Sequence, residues 1–142
     1  MDPAPASNPA PAAKHVLALV VERNPIVQRL EKFFLEQAGY DVEFAIDGAS
    51  AFARAQELHP AILVTEILLP RVDGLTLCRN LKAHPDTRDI LVLVFSHLEA
   101  EERAREAGAD AFLQKPLGET LLVETLDRLV RRHQELLGEK KK

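Results

Sequence analysis

The chain reads AILVTEILLPRVDG from Ala61 to Gly74, an apolar run that ends in one acid and leads to a proline and an Asp-Gly pair. A short, continuous apolar run indicates a strand that is buried on both faces, as in a parallel sheet. A segment of helical period follows from Leu75 to His84. The stretch therefore predicts a strand, a loop and a helix, with Glu66 at the end of the strand.

The same alternation of a short apolar run and a helical segment continues on both sides of this unit. Parallel strands need helix-length, right-handed crossovers, so helices cover both faces of the sheet. The sequence therefore predicts an α/β fold with a doubly wound parallel sheet of five strands. The predicted strands are Val16–Val21, Val42–Ile46, Ala61–Thr65, Leu91–Phe95 and Ala111–Leu113, and the predicted helices are Pro25–Ala38, Ala49–Leu58, Leu75–His84, Ala100–Ala107 and Glu119–Leu137.

The first predicted helix has the clearest boundaries. Asn24 followed by Pro25 is typical of a helix cap with a proline in the first turn, and Gly39 follows as a left-handed stop. Apolar residues at helical spacing form one face of such a helix, and that face normally packs on the core. Here the predicted face consists of Ile26, Leu30, Phe33 and Phe34.

Length and composition indicate one ordinary globular domain. A chain of 142 residues can bury a sizeable core without disulfides or metals. Residues 1–14 hold four prolines among alanines, a composition that favours neither helix nor sheet. We expect a disordered arm at 1–14, a domain at 15–137 and a charged tail at 138–142.

Charge and cysteine content argue against several classes of function. A formal net charge of −4 disfavours general nucleic-acid binding, which needs clustered lysines and arginines. The single cysteine, Cys78, cannot form an internal disulfide and is expected to be a buried structural residue, and no Cys/His spacing is typical of zinc. No signal peptide is apparent, and no apolar run approaches the roughly 20 residues of a membrane span. We expect a cytoplasmic protein with no nucleic-acid or membrane partner.

In a doubly wound sheet the functional crevice lies beyond the carboxyl ends of the strands. The residues at or just after these ends are therefore the first candidates for a site. They are Glu22, Glu66, Ser96 and Lys115.

Two stretches resemble a known family, LPRVDG at Leu69–Gly74 and AGADAFLQKP at Ala107–Pro116. Together they are similar to response-regulator receiver domains of the CheY-like family, and the resemblance covers roughly Val16 to Val130. It implies a flavodoxin-like (βα)5 fold with strand order 2-1-3-4-5. It also implies a phosphate-accepting aspartate after the third strand, and Glu66 stands at that position.

The resemblance also assigns the other site positions. The family carries an acidic pair after strand 1 that holds Mg²⁺, and Glu22 and Arg23 stand there. The family's switch hydroxyl, aromatic residue, phosphate-binding lysine and following proline correspond to Ser96, Phe112, Lys115 and Pro116. The resemblance implies a cis peptide before Pro116. Phe112 lacks a phenolic hydroxyl, which favours a core-packed position.

Glu66 and Arg23 depart from the family's pattern. Arg23 opposes a divalent ion, and its guanidinium either pairs with Glu66 or turns into solvent. Glu66 reaches one methylene further than aspartate, so we expect it to interact with Lys115 and Ser96. The same extra length opposes in-line phosphoryl transfer. The segment from Ser96 to Gly108 is short, which argues against a full-length fourth helix.

The leading hypothesis is an atypical stand-alone receiver, or pseudo-receiver, of a two-component or phosphorelay system. It is not an enzyme, is not phosphorylated, needs no cofactor or metal, and binds another signalling protein. The expected docking face is the family's, made by helix 4, strand 5 and helix 5, on a monomer or weak homodimer. The alternative is a conventional Mg²⁺-dependent phosphoryl-accepting receiver. A flavin- or nucleotide-binding protein of this fold would need a glycine-rich loop after strand 1, where Glu22–Pro25 stands instead.

Overall fold

The computed structural model describes residues 15–115 and 119–140, with side chains described at 15–115 and 120–137. In these residues strands and helices alternate strictly along the chain. The strands are β1 (Val16–Val21), β2 (Tyr40–Ala45), β3 (Ile62–Thr65), β4 (Leu91–Ser96) and β5 (Ala111–Gln114), and the helices are α1 (Pro25–Gln37), α2 (Gly48–Leu58), α3 (Gly74–Ala83), α4 (Glu101–Glu106) and α5 (Glu119–Lys140).

The strands form one parallel sheet in the order β2-β1-β3-β4-β5. The chain moves from β1 outward to β2 and then returns to the other side of β1, so the order reverses between β1 and β3. This arrangement confirms the predicted flavodoxin-like, doubly wound fold. It also places the switch point, where ligands bind in such sheets, beside the end of β3.

Helices cover both faces of the sheet, and each face has its own core. Successive residues of β1 alternate between the two cores: Leu19 packs with α2, α3 and α4, whereas Val20 packs with α1 and α5. Burial on both faces explains the continuous apolar runs in the sequence. Cys78 of α3 is fully buried, as expected, and burial raises the pKa of its thiol to about 11.

The caps of α1 are as predicted. The Asn24 side-chain oxygen accepts the backbone N–H of Ile26 at 2.9 Å. Gly39 follows the helix in the left-handed region, with φ of 99°. Gly108 after α4 has φ of 98° and ends that helix in the same way.

The apolar face predicted for α1 is wrong. Ile26, Leu30 and Phe33 are 73%, 46% and 56% exposed, whereas Leu35 is 1% exposed and packs in the core. Phe34 is half-buried. Apolar residues surround most of this helix, and the sheet receives the side centred on Leu35.

Most other boundaries agree with the predictions to within one residue, and those of β2 and α5 differ by more. β2 begins two residues early, at Tyr40, because it is an edge strand whose side chains alternate between core and solvent. α4 has only six residues, which confirms the shortened helix. α5 continues to Lys140, so residues 138–140 extend the helix where a tail was expected. Residues 1–14, Pro116 and residues 141–142 lie outside the described part of the chain.

None of the described helices has both the length and the apolar content that crossing a bilayer requires.

Candidate functional site

The strand ends bring the predicted site residues to one edge of the sheet. Glu22 directly follows β1, Glu66 follows β3, Ser96 ends β4 and Lys115 follows β5. The Lys115 backbone N–H donates to the Ser96 carbonyl oxygen at 2.8 Å, which fixes the end of β5 against β4. Topology alone therefore assembles side chains that are far apart in the sequence.

Glu66 and Lys115 form an ion pair at the centre of this edge. The Lys115 Nζ lies 3.4 Å from the Glu66 Oε2, and each side chain is 20% exposed. The Glu66 Oε1 accepts the backbone N–H of Ile67 at 2.8 Å. The Lys115 Nζ also lies 4.9 Å from the centroid of the Phe95 ring, a distance at which a cation is attracted to an aromatic face. The ammonium group is thus held by a carboxylate and an aromatic ring. The sequence predicted the carboxylate but not the ring.

The expected contact between Glu66 and Ser96 is not formed in the described residues. Ser96 is fully buried, and its Oγ accepts the backbone N–H of Leu98 at 3.2 Å. The hydroxyl therefore stabilises the turn that leaves β4. Because Ser96 is buried, its hydroxyl is poorly accessible to a group in solvent.

Arg23 does not pair with Glu66. The Arg23 side chain is exposed and forms no ion pair with a described residue, so of the two orientations considered the structure has the one toward solvent. Glu22 turns back on its own loop, where its Oε2 accepts the Asn24 N–H at 3.0 Å.

The divalent ion that the family resemblance implies does not fit these residues. Mg²⁺ needs near-octahedral oxygen ligands and is usually held by one or two carboxylates. Arg23 replaces the second acid, Glu22 accepts from its own loop, and both oxygens of Glu66 have partners. Across residues 15–115 and 119–140 no group of three or more His, Cys, Asp or Glu side chains could hold a metal ion.

The loop between β3 and α3 is fixed by close backbone contacts. The Gly74 N–H donates to the Ile67 carbonyl oxygen at 2.7 Å, and a Cβ added at Gly74 would lie 1.9 Å from the Glu66 carbonyl oxygen. Only glycine fits such an approach. Asp73 begins the helix by accepting the Thr76 N–H at 2.9 Å. The Asp-Gly pair thus holds the peptide that carries Glu66.

The Asp73 cap gives a pH-dependent expectation. The Thr76 backbone N–H holds the pKa of the Asp73 carboxyl below its ordinary value. A carboxyl whose pKa is lowered by folding stabilises the protein above its unfolded pKa, and this stability is lost as the pH falls. Asp73→Ala should lower the free energy of unfolding by about 1 kcal/mol at neutral pH, and the difference from wild type should shrink in acid.

Urea denaturation at a series of pH values measures this difference. Asp73→Asn is the matched control, because asparagine caps a helix nearly as well but carries no titrating carboxyl. If the difference in the free energy of unfolding between wild type and Asp73→Ala stayed constant from neutral pH into acid, the ionised Asp73 carboxyl would not be the stabilising cap of α3.

Phe112 and the short helix α4 lie at the side of the site. Phe112 is half-buried and packs against the core formed with α2, α3 and α4, in agreement with the inward position expected. It borders a cavity of about 120 Å³ together with Glu101, Arg105 and Asp110. The cis peptide expected before Pro116 lies outside the described residues.

Two contributors to the site were missed from the sequence. Phe95 supplies the aromatic face beneath Lys115, and Leu98 supplies the N–H that engages Ser96. An aromatic residue directly before the switch hydroxyl was the available signal for Phe95. No sequence signal marks a backbone N–H such as that of Leu98.

Comparison with known proteins gives one family. Residues 18–127 match the family described as response regulator receiver domain. The chain is 37% identical over 124 residues to the gliding motility regulatory protein of Myxococcus xanthus, covering 84% of this chain and 16% of that protein. It is 34% identical over 117 residues to the DNA-binding dual master transcriptional regulator RpaA of Synechocystis sp., covering 80% of this chain and 48% of that protein. The chain therefore spans less than half the length of either relative.

A solved structure shows the same fold. The signal receiver domain of a signal transduction histidine kinase from Syntrophus aciditrophicus is similar, with a TM-score of 0.76 and 33% identity. The match covers 82% of this chain and 90% of that one.

Proposed function

The chain belongs to the response regulator receiver family, and from this membership we propose that it is a pseudo-receiver that signals by protein binding without being phosphorylated. Receiver domains are signalling modules of two-component systems, and we propose no catalytic activity for this one. The observation that carries the proposal is the ion pair between Glu66 and Lys115 at 3.4 Å. The residue at the acceptor position is already neutralised by the lysine that would bind a phosphoryl group.

Two features of the cleft support the absence of phosphorylation. In-line transfer needs the attacking oxygen within a narrow distance of the reacting phosphorus, and Glu66 carries its oxygens one methylene further out than aspartate. Arg23 stands at a position where the family has a metal-binding acid, so this position supplies no carboxylate. The standing carboxylate of Glu66 replaces only part of a phosphoryl group, which has more charge and three acceptor oxygens.

We further propose that the partner is another signalling protein that docks on α4, β5 and α5, with the chain as a monomer or weak homodimer in the cytoplasm. Leu121 of α5 is 41% exposed on this helix. Further along α5 a cavity of about 270 Å³ offers an apolar recess with charged borders. It is lined by Leu91, Asp110, Leu129, Arg132, His133 and Leu136.

Backbone amide shifts of the full chain, recorded with Mg²⁺ and beryllofluoride, test the proposal. We expect the wild type to show no saturable shift at Ser96 or Lys115, because the cleft holds an internal ion pair. The double variant Arg23→Asp with Glu66→Asp restores the family's acids. We expect this variant to show Mg²⁺-dependent shifts at the same amides.

Arg29→Asp, an equal charge change at an exposed position of α1, is the matched control and should behave like the wild type. Saturable shifts in the wild type would favour a conventional phosphoryl-accepting receiver and overturn the proposal. If the double variant also showed no Mg²⁺-dependent shifts, Arg23 and Glu66 would not account for the absence of Mg²⁺ binding in the wild type.

A further inference from the structure

The first described residue, His15, lies beside a recess between α1 and α5. Its backbone N–H donates to the Gly39 carbonyl oxygen at 2.9 Å, just past the end of α1. Ala38, the residue before Gly39, lines a cavity of about 270 Å³. The other lining residues are Phe34, Gln37, Thr120, Val123 and Glu124. Residues 1–14 therefore join the domain next to this recess.

The recess has an apolar floor and an aromatic border. Ala38 and Val123 are half-buried and pack against the core that α1 and α5 share. Phe34 is half-buried, and its ring meets that of Phe33 edge to face with centroids 5.4 Å apart. Of the described lining residues, Glu124 carries a charge. Such a recess suits a small, apolar and uncharged segment of chain.

The sequence before His15 has this chemistry. Residues 3–6 read PAPA and residues 9–13 read PAPAA, and no charged side chain stands between residues 3 and 13. Closely spaced prolines favour the polyproline II helix, which needs no internal hydrogen bonds. Segments in this conformation bind grooves with aromatic walls. A composition that favours neither helix nor sheet is thus suited to the recess. We name residues 9–13 the Pro-Ala segment.

The length of the connection favours the Pro-Ala segment over the earlier run at 3–6. Pro11 lies four residues before His15, and four residues span at most about 14 Å when extended. A short tether gives an effective concentration on the order of 1 mM. A segment with a dissociation constant of about 1 mM as a free peptide would then occupy the recess about half of the time. Weak contacts suffice because the ligand is tethered.

We propose that the Pro-Ala segment folds back and occupies the recess as an internal ligand. Its proline rings pack on Phe34, and its alanine methyl groups enter the space beside Ala38 and Val123. A molecule that used this recess would have to displace the segment first. The site is separate from the cleft at the strand ends, and its occupancy does not depend on whether Glu66 is phosphorylated.

Amide shifts of the isotope-labelled full chain test the contact from the side of the recess. Pro9→Gly with Pro11→Gly should move the amides that line the recess and lower the bound fraction about twofold or more, because glycine loses more conformational freedom on ordering. Pro3→Gly with Pro5→Gly is the matched control, since it makes the same change in the earlier run. It should leave the amides of the recess unchanged.

The alanine amides of the Pro-Ala segment report the same contact from the other side. In the wild type, the amides of Ala10 and Ala12 should differ in shift from those of a synthetic peptide of residues 1–14. Val123→Ser makes one wall of the recess polar and should move them at least halfway to the free-peptide positions. Leu121→Ser on the same helix is the matched control, because Leu121 is 41% exposed and does not line the recess.

Circular dichroism confirms that each variant is folded, and the proline variants provide the test if Val123→Ser is unstable. The proposal is overturned if the changes at Pro9 and Pro11 leave the amides of the recess unmoved, or if both proline pairs move them equally. Wild-type alanine amides at the free-peptide positions would also overturn it. If the shifts at the recess grew with protein concentration, the occupant would come from a second copy, and the intramolecular contact would be wrong.

Discussion

Gly74→Ala is expected to lower the free energy of unfolding by about 3 kcal/mol or more, a large part of the 5–15 kcal/mol typical of a folded domain. The added Cβ would lie 1.9 Å from the Glu66 carbonyl oxygen and 3.0 Å from the Ile67 Cα, and both are backbone atoms. Backbone cannot swing aside as a flexible side chain can. The loop after β3 would have to move, and the hydrogen bond from Gly74 to Ile67 would be lost.

Urea denaturation followed by circular dichroism measures the loss. Ala49→Gly in the first turn of α2 is the matched control, since it changes the same methyl group at an exposed helix start and should cost about 1 kcal/mol or less. Amide shifts should also report movement of Glu66 and Lys115, because the Gly74 contact holds the Glu66 peptide. A Gly74→Ala protein as stable as the control would show that the loop adapts at little cost.

The central strands could be predicted closely because burial on both faces leaves an unambiguous pattern. β1 was predicted residue for residue and β3 within one residue. β2 was harder because Asp41 and Glu43 point outward at the edge of the sheet. A continuous apolar run therefore did not indicate the first two residues of β2, Tyr40 and Asp41, although Tyr40 is buried.

Helix α1 shows why periodicity can predict a helix and still mistake its buried side. Its apolar residues form two faces, one through Ile26, Leu30 and Phe33 and one through Phe34 and Leu35. Spacing alone fits either face. The position of the helix over the sheet decides between them, and that position depends on residues distant in the sequence.

The candidate site shows the same difference. Contacts that depend on sheet topology could be predicted, whereas contacts that depend on side-chain rotamers could not. The meeting of Glu66 and Lys115 could be predicted, because parallel strands bring their carboxyl ends to one edge. The direction of Arg23 could not, because a long side chain beside a loop has many rotamers of similar energy. The contact of Lys115 with Phe95 depends on the same kind of detail.

Leu126→Ala is expected to lower the free energy of unfolding by about 2–5 kcal/mol, the range for truncation of a fully buried leucine. Leu126 is 0% exposed and belongs to the core that α1 and α5 share, together with Leu35 and Val64. Removing its side chain leaves a cavity between α5 and the sheet. Leu137→Ala on the same helix is the matched control, since Leu137 is 46% exposed, and it should change stability by about 0.5 kcal/mol or less.

Hydrogen exchange locates the effect of the same two variants in the fold. Leu126→Ala should speed hydrogen exchange of the α5 amides, because the buried Leu126 side chain holds α5 against the sheet, whereas the exposed Leu137→Ala should not. If the α5 amides of the two variants exchanged at the same rate, α5 would be held mainly by contacts other than this core.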